Sequence, residues 1–260
     1  MILPLKDKRI VVTRERKQSV SLIKKIKKLG GLAIPFPVMC IKETDDWSAA
    51  DQVITDLADY DWLMFTSING ARHFLSRLAK KNRKIGQQKI AVISKKVALF
   101  CKKRGVRVDV IPGKFQVSGL IEALRSFPIR AERVILPVSN LSDNVLMTFL
   151  EEQGCQVSRV RVYRTVANTA LSGADLYTGI RNGLIHCLTF FSPSAFRFFI
   201  DIMGNDIIAI LKDQKTALAA IGDTTAGVIN GCGLEVTIKP EQSGENDLVQ
   251  ALVRYYRTNN

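Results

Sequence analysis

Short apolar runs alternate along the chain with amphipathic stretches. Residues 9–13 (RIVVT) read as a buried strand. Over 16–29, Val20, Ile23, Ile26 and Leu29 share one face and lysines the other, which predicts a helix. Gly30 and Gly31 then supply the glycine that a helix C-terminus favours. Residues 32–34 begin a second strand, and similar runs lie at 62–65, 89–93, 106–108, 133–136, 188–191 and 218–221. Strands alternating with helices predict βαβ units, in which parallel sheets are covered on both faces. No apolar run approaches the ~20 residues that a membrane-spanning helix needs. Charge at positions 6–9 and the lack of an apolar segment behind it argue against a secretory signal.

The pattern repeats. Residues 65–74 (FTSINGARHF) resemble 190–199 (FFSPSAFRFF) at an offset of 125. Residues 105–124 resemble 233–252 at an offset of 128, and 9–30 resemble 133–154 at 124. Ordered matches at nearly constant offset point to duplication of a ~125-residue α/β unit. The fold expected is therefore two similar parallel-sheet α/β domains of flavodoxin- or Rossmann-like type. Two segments look like crossovers between them. Residues 35–38 (PFPV) are held extended by proline, and 161–166 (RVYRTV) are β-rich. With linkers at about 35–40 and 161–167, residues 41–163 form one domain. Residues 1–36 rejoin 168–260 to form the other. A cleft between two such domains is a favoured ligand site.

The chain has 260 residues, 47% of them apolar, which fits one or two folded cores and not a disordered chain. Lys and Arg number 38 against 24 Asp and Glu, a net charge of +14 that calls for an anionic partner. Residues 1–130 carry +16 and residues 131–260 carry −2. Divided by domain instead, 41–163 and the remainder carry +7 each, so the lopsidedness belongs to chain order. The five cysteines are far apart with no CxxC, as expected of buried reduced thiols in the cytoplasm. With His73 and His186 as the sole histidines, a His/Cys zinc site is not expected. The basic clusters at 24–28, 80–84 and 102–104 lie on polar helix faces or loops without interleaved aromatics. They read as solvated faces, so neither nucleic acid nor a membrane is the expected partner.

No GxGxxG, P-loop, HExxH or GxSxG occurs. Three strand ends instead carry hydroxyls just before a helix: Thr66-Ser67, Ser192-Pro193-Ser194, and Asp223-Thr224-Thr225. Such residues cap helices, accepting a free backbone N–H. The same free N–H groups and the positive helix end also make anion sites at the carboxyl ends of parallel strands. Both readings stand for each position. Arg14, after the first strand, is suited to bidentate carboxylate binding or is simply exposed. Tyr163, in a proposed linker, is a packing residue or a phenol at a cleft wall.

The chain resembles the uroporphyrinogen-III synthases over essentially its whole length. The resemblance rests on residues 10–14 (IVVTR) with Gly30-Gly31, 65–71 (FTSINGA), 162–165 (VYRT), 190–195 (FFSPSA) and 220–226 (AIGDTTA). It implies two α/β domains joined by a two-stranded linker. It also implies a lyase of tetrapyrrole (haem) biosynthesis acting without cofactor or metal; a cytoplasmic location is expected from the cysteines, and a monomer by default. The implied substrate is hydroxymethylbilane, a linear tetrapyrrole with eight carboxylates, cyclised with loss of water and inversion of the terminal ring. By the same resemblance Tyr163 stands where the family's linker tyrosine assists hydroxyl departure. Thr224, Thr225, Ser67 and Ser192 match cleft hydroxyls, and Thr13, Arg14, Thr66 and Ser194 lie in the same motifs. Two stretches depart from the family. Residues 93–97 are ISKKV, where Ser94 and Lys96 replace a neutral pattern, and 137–140 are PVSN, which brings in Ser139. These departures also fit a synthase-like module that binds a tetrapyrrole without turning it over.

Overall fold

The computed structural model describes residues 3–258. The chain divides into two compact units. A terminal unit takes the N-terminal segment through Cys40 together with everything from Val166 on; a central unit is Ile41–Thr165.

In the terminal unit, β1 (Arg9–Val12) is followed by α1 (Arg16–Lys28) and β2 (Leu32–Pro35). The chain returns after the central unit with α7 (Ala174–Arg181), β8 (Cys187–Phe190), α8 (Pro193–Met203), α9 (Ile207–Asp213), β9 (Ala217–Ala220), α10 (Asp223–Gly231) and α11 (Glu245–Thr258). The sheet order is β2-β1-β8-β9, all parallel. Successive side chains of a strand face opposite ways. Val11, Leu188, Phe190 and Leu218 accordingly pack beneath Phe196 and Phe199 of α8. Ile10, Val12, Cys187 and Ala219 pack against Leu22 and Ile26 of α1 and Leu248 and Leu252 of α11.

The central unit runs β3 (Met39–Glu43), α2 (Ser48–Thr55), β4 (Trp62–Phe65), α3 (Ile68–Lys80), β5 (Lys89–Val92), α4 (Lys95–Lys102), α5 (Val117–Leu124), β6 (Arg133–Ser139), α6 (Val145–Glu152) and β7 (Gln156–Ala167). Its sheet order is β3-β7-β6-β4-β5, and β7-β6-β4-β5 are parallel. Leu63, Phe65, Ile90, Val92 and Ile135 face Phe74 and Leu78 of α3. Trp62, Met64, Ala91, Val134 and Leu136 face α5 and α6. The chain passes between the units in β3 and β7, which neighbour each other in this sheet.

The two sheets share one topology. The order β7-β6-β4-β5 in the central unit corresponds to β2-β1-β8-β9 in the terminal one, and each ends in a single bridge, Ala91–Val110 and Ala219–Ile238. The chain enters them at different points: β6 and β7 come last in one, while β1 and β2 come first in the other. The α/β fold class read from the alternation and the repeat is what the chain adopts.

Several local expectations need correction. Residues 106–108 are loop; the edge position is held by the one bridge at Val110, because the turn at Gly105 (φ 73°) is followed by too little pairing for a strand. The buried stripe of α1 is Ser19, Leu22 and Ile26, and Val20 is exposed, one step off the face assigned to it. Cys101, Cys155 and Cys187 are buried thiols, but Cys40 is half-buried and Cys232 exposed. Among the described residues no helix is long and apolar enough to cross a membrane, and no cluster of three metal-ligating side chains occurs.

Strand β6 continues through Pro137 although it lies inside the sheet. Its ladder to β4 extends only through Ile135, so the donor that proline lacks is not missed on that side. The first turn of α3 approaches here. A Cβ added to Gly70 would lie 2.7 Å from the Pro137 carbonyl oxygen and 3.1 Å from Ser67 Oγ. Alanine in a helix is ordinarily better than glycine by up to about 1 kcal/mol. Gly70→Ala is nevertheless expected to destabilise the protein by about 1–3 kcal/mol, as overpacking does. Chemical unfolding checks this; an unchanged or raised midpoint would show that α3 moves away freely.

Candidate functional site

The hydroxyl-bearing positions cluster at the carboxyl ends of the parallel strands in each unit. In the central unit, Ser67 follows β4 in an extended conformation and caps α3, its Oγ accepting from Gly70 N–H at 2.8 Å. Ser94 does the same for α4, accepting from Val97 N–H at 3.4 Å. Both caps leave other first-turn N–H groups without an intrahelical partner. Thr66 is half-buried beside Ser67, and Lys96 is exposed in the first turn of α4.

Tyr163 comes from β7 and is 93% buried, packed into the core beneath α3. Its phenol lies 3.1 Å from Ser67 Oγ, where either oxygen can donate. The ring of His73, from the second turn of α3, stacks on it at 5.8 Å and 17°. Burial is the main influence keeping the His73 imidazole below its usual pKa; Glu43, 3.9 Å away, opposes this, and Arg72 and Lys80 reinforce it. Tyr163 is thus a packing residue, as the first of its two sequence readings has it, with its phenol held against Ser67.

Beside it, β6 breaks register between Val138 and Ser139, so that Ser139 pairs with Tyr163. Ser139 is buried at the end of β6, before a turn: its Oγ accepts from Leu141 N–H at 3.1 Å and meets Ser142 Oγ at 3.1 Å. The exposed Asn140 then extends the sheet with its side chain. Its Nδ2 donates to Thr165 O at 3.1 Å, and its Oδ1 accepts from Thr165 N–H at 2.8 Å.

In the terminal unit, Ser192 caps α8, accepting from Ala195 N–H at 3.1 Å, with Ser194 Oγ 3.0 Å away. After β9, Gly222 is fully extended and Asp223, Thr224 and Thr225 open α10. Asp223 pairs with Lys239, Thr224 is exposed and Thr225 is buried. A Cβ on Gly222 would lie 2.5 Å from Ser243 Oγ, so the loop before α11 closes over this strand end. Arg14 lies over the Phe191 ring at 4.7 Å and pairs with Glu245 Oε2 at 3.2 Å. Lys25 Nζ holds the other oxygen of Glu245 at 2.7 Å. Burial works against ionisation of Glu245, but hydrogen bonds from Lys25 and Ser21 and the charges of Lys25 and Arg14 outweigh it, holding its pKa below the usual value.

Two proposed binders offer almost no surface. Thr13 is wholly buried, its Oγ1 donating to Thr189 O at 2.6 Å, while Thr189 Oγ1 donates to Val11 O at 2.9 Å. This pair ties β1 to β8 within the sheet. Thr225 faces the core in the same way, at 3% exposure. Arg14 already has two partners. His73, Asn140, Ser142 and Glu245 shape these ends and were not singled out from sequence. For His73 the available signal is its place in the second turn of the helix that Ser67 caps.

Residues 20–250 match the family of uroporphyrinogen-III synthase HemD. The chain belongs to the uroporphyrinogen-III synthase family. It is 28% identical over 250 residues to a putative uroporphyrinogen-III synthase of Methanothermobacter thermautotrophicus, covering 94% of this chain and 96% of that one. It is 23% identical over 238 residues to a uroporphyrinogen-III synthase of Chlorobaculum parvum, covering 90% and 93%. Among solved structures, a mutant uroporphyrinogen III synthase of Thermus thermophilus matches with a TM-score of 0.66 at 17% identity, over 96% of this chain and 99% of that one. This last likeness concerns the two-domain α/β fold of the family.

The environment of His73 has a measurable consequence. Because folding lowers its pKa, the unfolded chain binds more protons as pH falls below about 6.5, so this group's contribution weakens folding on acidification. NMR titration is expected to place the His73 midpoint below 6.5, with Tyr163→Ala moving it upward as the stacked ring is removed. A midpoint at or above 6.5 in the intact protein would contradict the buried stack.

Proposed function

We propose that this chain is itself a uroporphyrinogen-III synthase, closing hydroxymethylbilane to uroporphyrinogen III with inversion of the terminal ring and loss of water. The observation that carries the reading is the family match over residues 20–250, joined to a tyrosine phenol held against Ser67 at a strand's carboxyl end. The reaction begins when the electron-rich terminal pyrrole expels its hydroxymethyl oxygen. The C–O bond breaks, the oxygen takes a proton and leaves as water, and a cationic azafulvene remains. The phenol of Tyr163 carries an O–H suited to donate a hydrogen bond to the departing oxygen. Ser67 orients the phenol, and His73 covers the face of its ring.

Attack by the already substituted carbon of the last ring gives a spiro intermediate. That ring then detaches and closes the other way round, and a proton is lost. The uncatalysed reaction closes without inversion, so the task is to hold one geometry. Free N–H groups at the starts of α3, α4, α8 and α10, with Ser67, Ser94, Ser192, Ser194 and Thr224 beside them, suit the substrate's carboxylates. Lys96 adds a cation to the α4 end. Each group acts on charge already present or developing, so the proposed chemistry calls for no cofactor; a cytoplasmic monomer is part of the proposal.

Fresh hydroxymethylbilane incubated with the protein is expected to yield mainly the type III isomer by chromatography. A product mixture matching the enzyme-free control would refute the reading. Tyr163→Phe is expected to keep the circular dichroism spectrum and lower turnover by about 10²-fold, the lower end of what positioned proton transfer contributes. An unchanged rate would remove the phenol from the chemistry.

A further inference from the structure

Each unit also has a hollow at the opposite, amino-terminal edge of its sheet. In the central unit it has a volume of about 720 Å³ and lies beneath the ends of α3 and α4, where β5 begins. Its walls include Leu75, Leu78, Ile85, Ile90 and Val106. The equivalent hollow of the terminal unit, about 980 Å³, lies where β8 and β9 begin, beneath the ends of α9 and α10. The shared topology makes the second an internal control for the first.

Their charges differ. The central hollow is lined by Arg83, Lys84, Lys89, Arg104 and Arg107 against one acid, Asp109. The terminal hollow has Lys212 and Lys215 against Asp213 and Glu235, and so balances. Two helix C-termini contribute about −0.5 charge each, which offsets about one of the extra cations. The terminal hollow lies under two helix C-termini as well and has no such excess, so the architecture does not demand it. Few of these cations are tightly committed. Arg107 meets Asp109 at 3.4 Å while 91% exposed, Lys89 reaches Glu132 at 3.5 Å, and Arg104 lies over the Phe100 ring at 3.7 Å. Lys84 makes no ion pair among the described residues.

We propose that the central hollow is a second ligand site, taking a small organic polyanion whose apolar body bears two or more carboxylates. The volume lies within the range of small-molecule sites, which combine an apolar lining with a few charged groups. Arginine guanidinium groups at the rim suit carboxylates, which they bind in bidentate fashion. A small ion such as citrate meets the rim but leaves the apolar walls empty, whereas a flat macrocycle bearing carboxylates meets both. The site is separate from the strand ends assigned to turnover, and its detection does not depend on the synthase reading because it is read as binding.

The test is a fluorescence titration of the full chain with uroporphyrin, an apolar macrocycle with eight carboxylates, at physiological ionic strength, with citrate as competitor. Lys84→Glu combined with Arg107→Glu reverses two exposed cations of the central hollow. Lys212→Glu combined with Lys215→Glu does the same in the terminal one. The expected result is that the first pair weakens one class of uroporphyrin site at least tenfold. Turnover of hydroxymethylbilane and the second pair's binding should stay as in the parent, with citrate competing only weakly. If the first pair misfolds, Lys84→Glu alone is expected to weaken that class of site severalfold. Equal binding by the parent and the central-hollow variants would overturn the proposal. So would displacement of uroporphyrin by a short RNA duplex whose own binding is lost in the first pair, since that assigns the cations to a polynucleotide. Loss of turnover in the parent with this binding pattern intact would refute the synthase reading and leave the second site standing.

Discussion

A parallel sheet covered on both faces leaves its strands only one place to meet a ligand: their ends. That constraint governs both units. Strand interiors such as Leu63–Phe65 and Leu218–Ala220 are apolar on both faces and wholly or almost wholly buried. Polar chemistry is displaced to the turn after each strand, where a helix begins with unpaired N–H groups. Ser67, Ser94 and Ser192 each satisfy one such group, an interaction worth about 1 kcal/mol, and leave the others directed at whatever occupies the strand end. The same residues that cap the helices thus also stand where the proposed site lies, and the capping and binding readings of the sequence do not exclude each other.

What could be read from the sequence follows from which interactions are local. The strand–serine–helix junctions at Ser67 and Ser192 are legible because a cap is a matter of three or four consecutive residues. The duplication is legible because equal units repeat equal patterns, even where one is entered at a different strand. The contact between Ser67 and Tyr163 spans 96 positions and has no local signature, and neither does the stack of His73 on the same ring. Thr13 shows the converse error. A threonine after an apolar run looks alike whether its hydroxyl faces a ligand or, as here, the carbonyl of Thr189 on the neighbouring strand. Residues 106–108 were read as a strand because their composition suits one, but strand identity needs a partner, and only Val110 finds one.

Charge needs the same care. The contrast between a strongly basic first half and a neutral second half disappears once the chain is divided as it folds: the central unit carries +8 and the terminal unit +6. What remains uneven is finer. The basic residues of α1 face solvent, apart from Lys25, which with Arg14 holds Glu245. In the central unit five cations line one hollow against a single acid, while its counterpart in the terminal unit is balanced. Net charge thus points to anionic partners in general, and only its placement separates carboxylates at the strand ends from a second site at the opposite edge.

The central claim is that the strand ends, with their caps and the Tyr163–Ser67 pair, receive the tetrapyrrole. Amide chemical shifts recorded while uroporphyrinogen III is added anaerobically test this most directly. The largest changes are predicted at the amides of residues 67–70, 94–97, 192, 194–195 and 222–225. Silence at those amides on saturation with the product, whatever moves elsewhere, would contradict it.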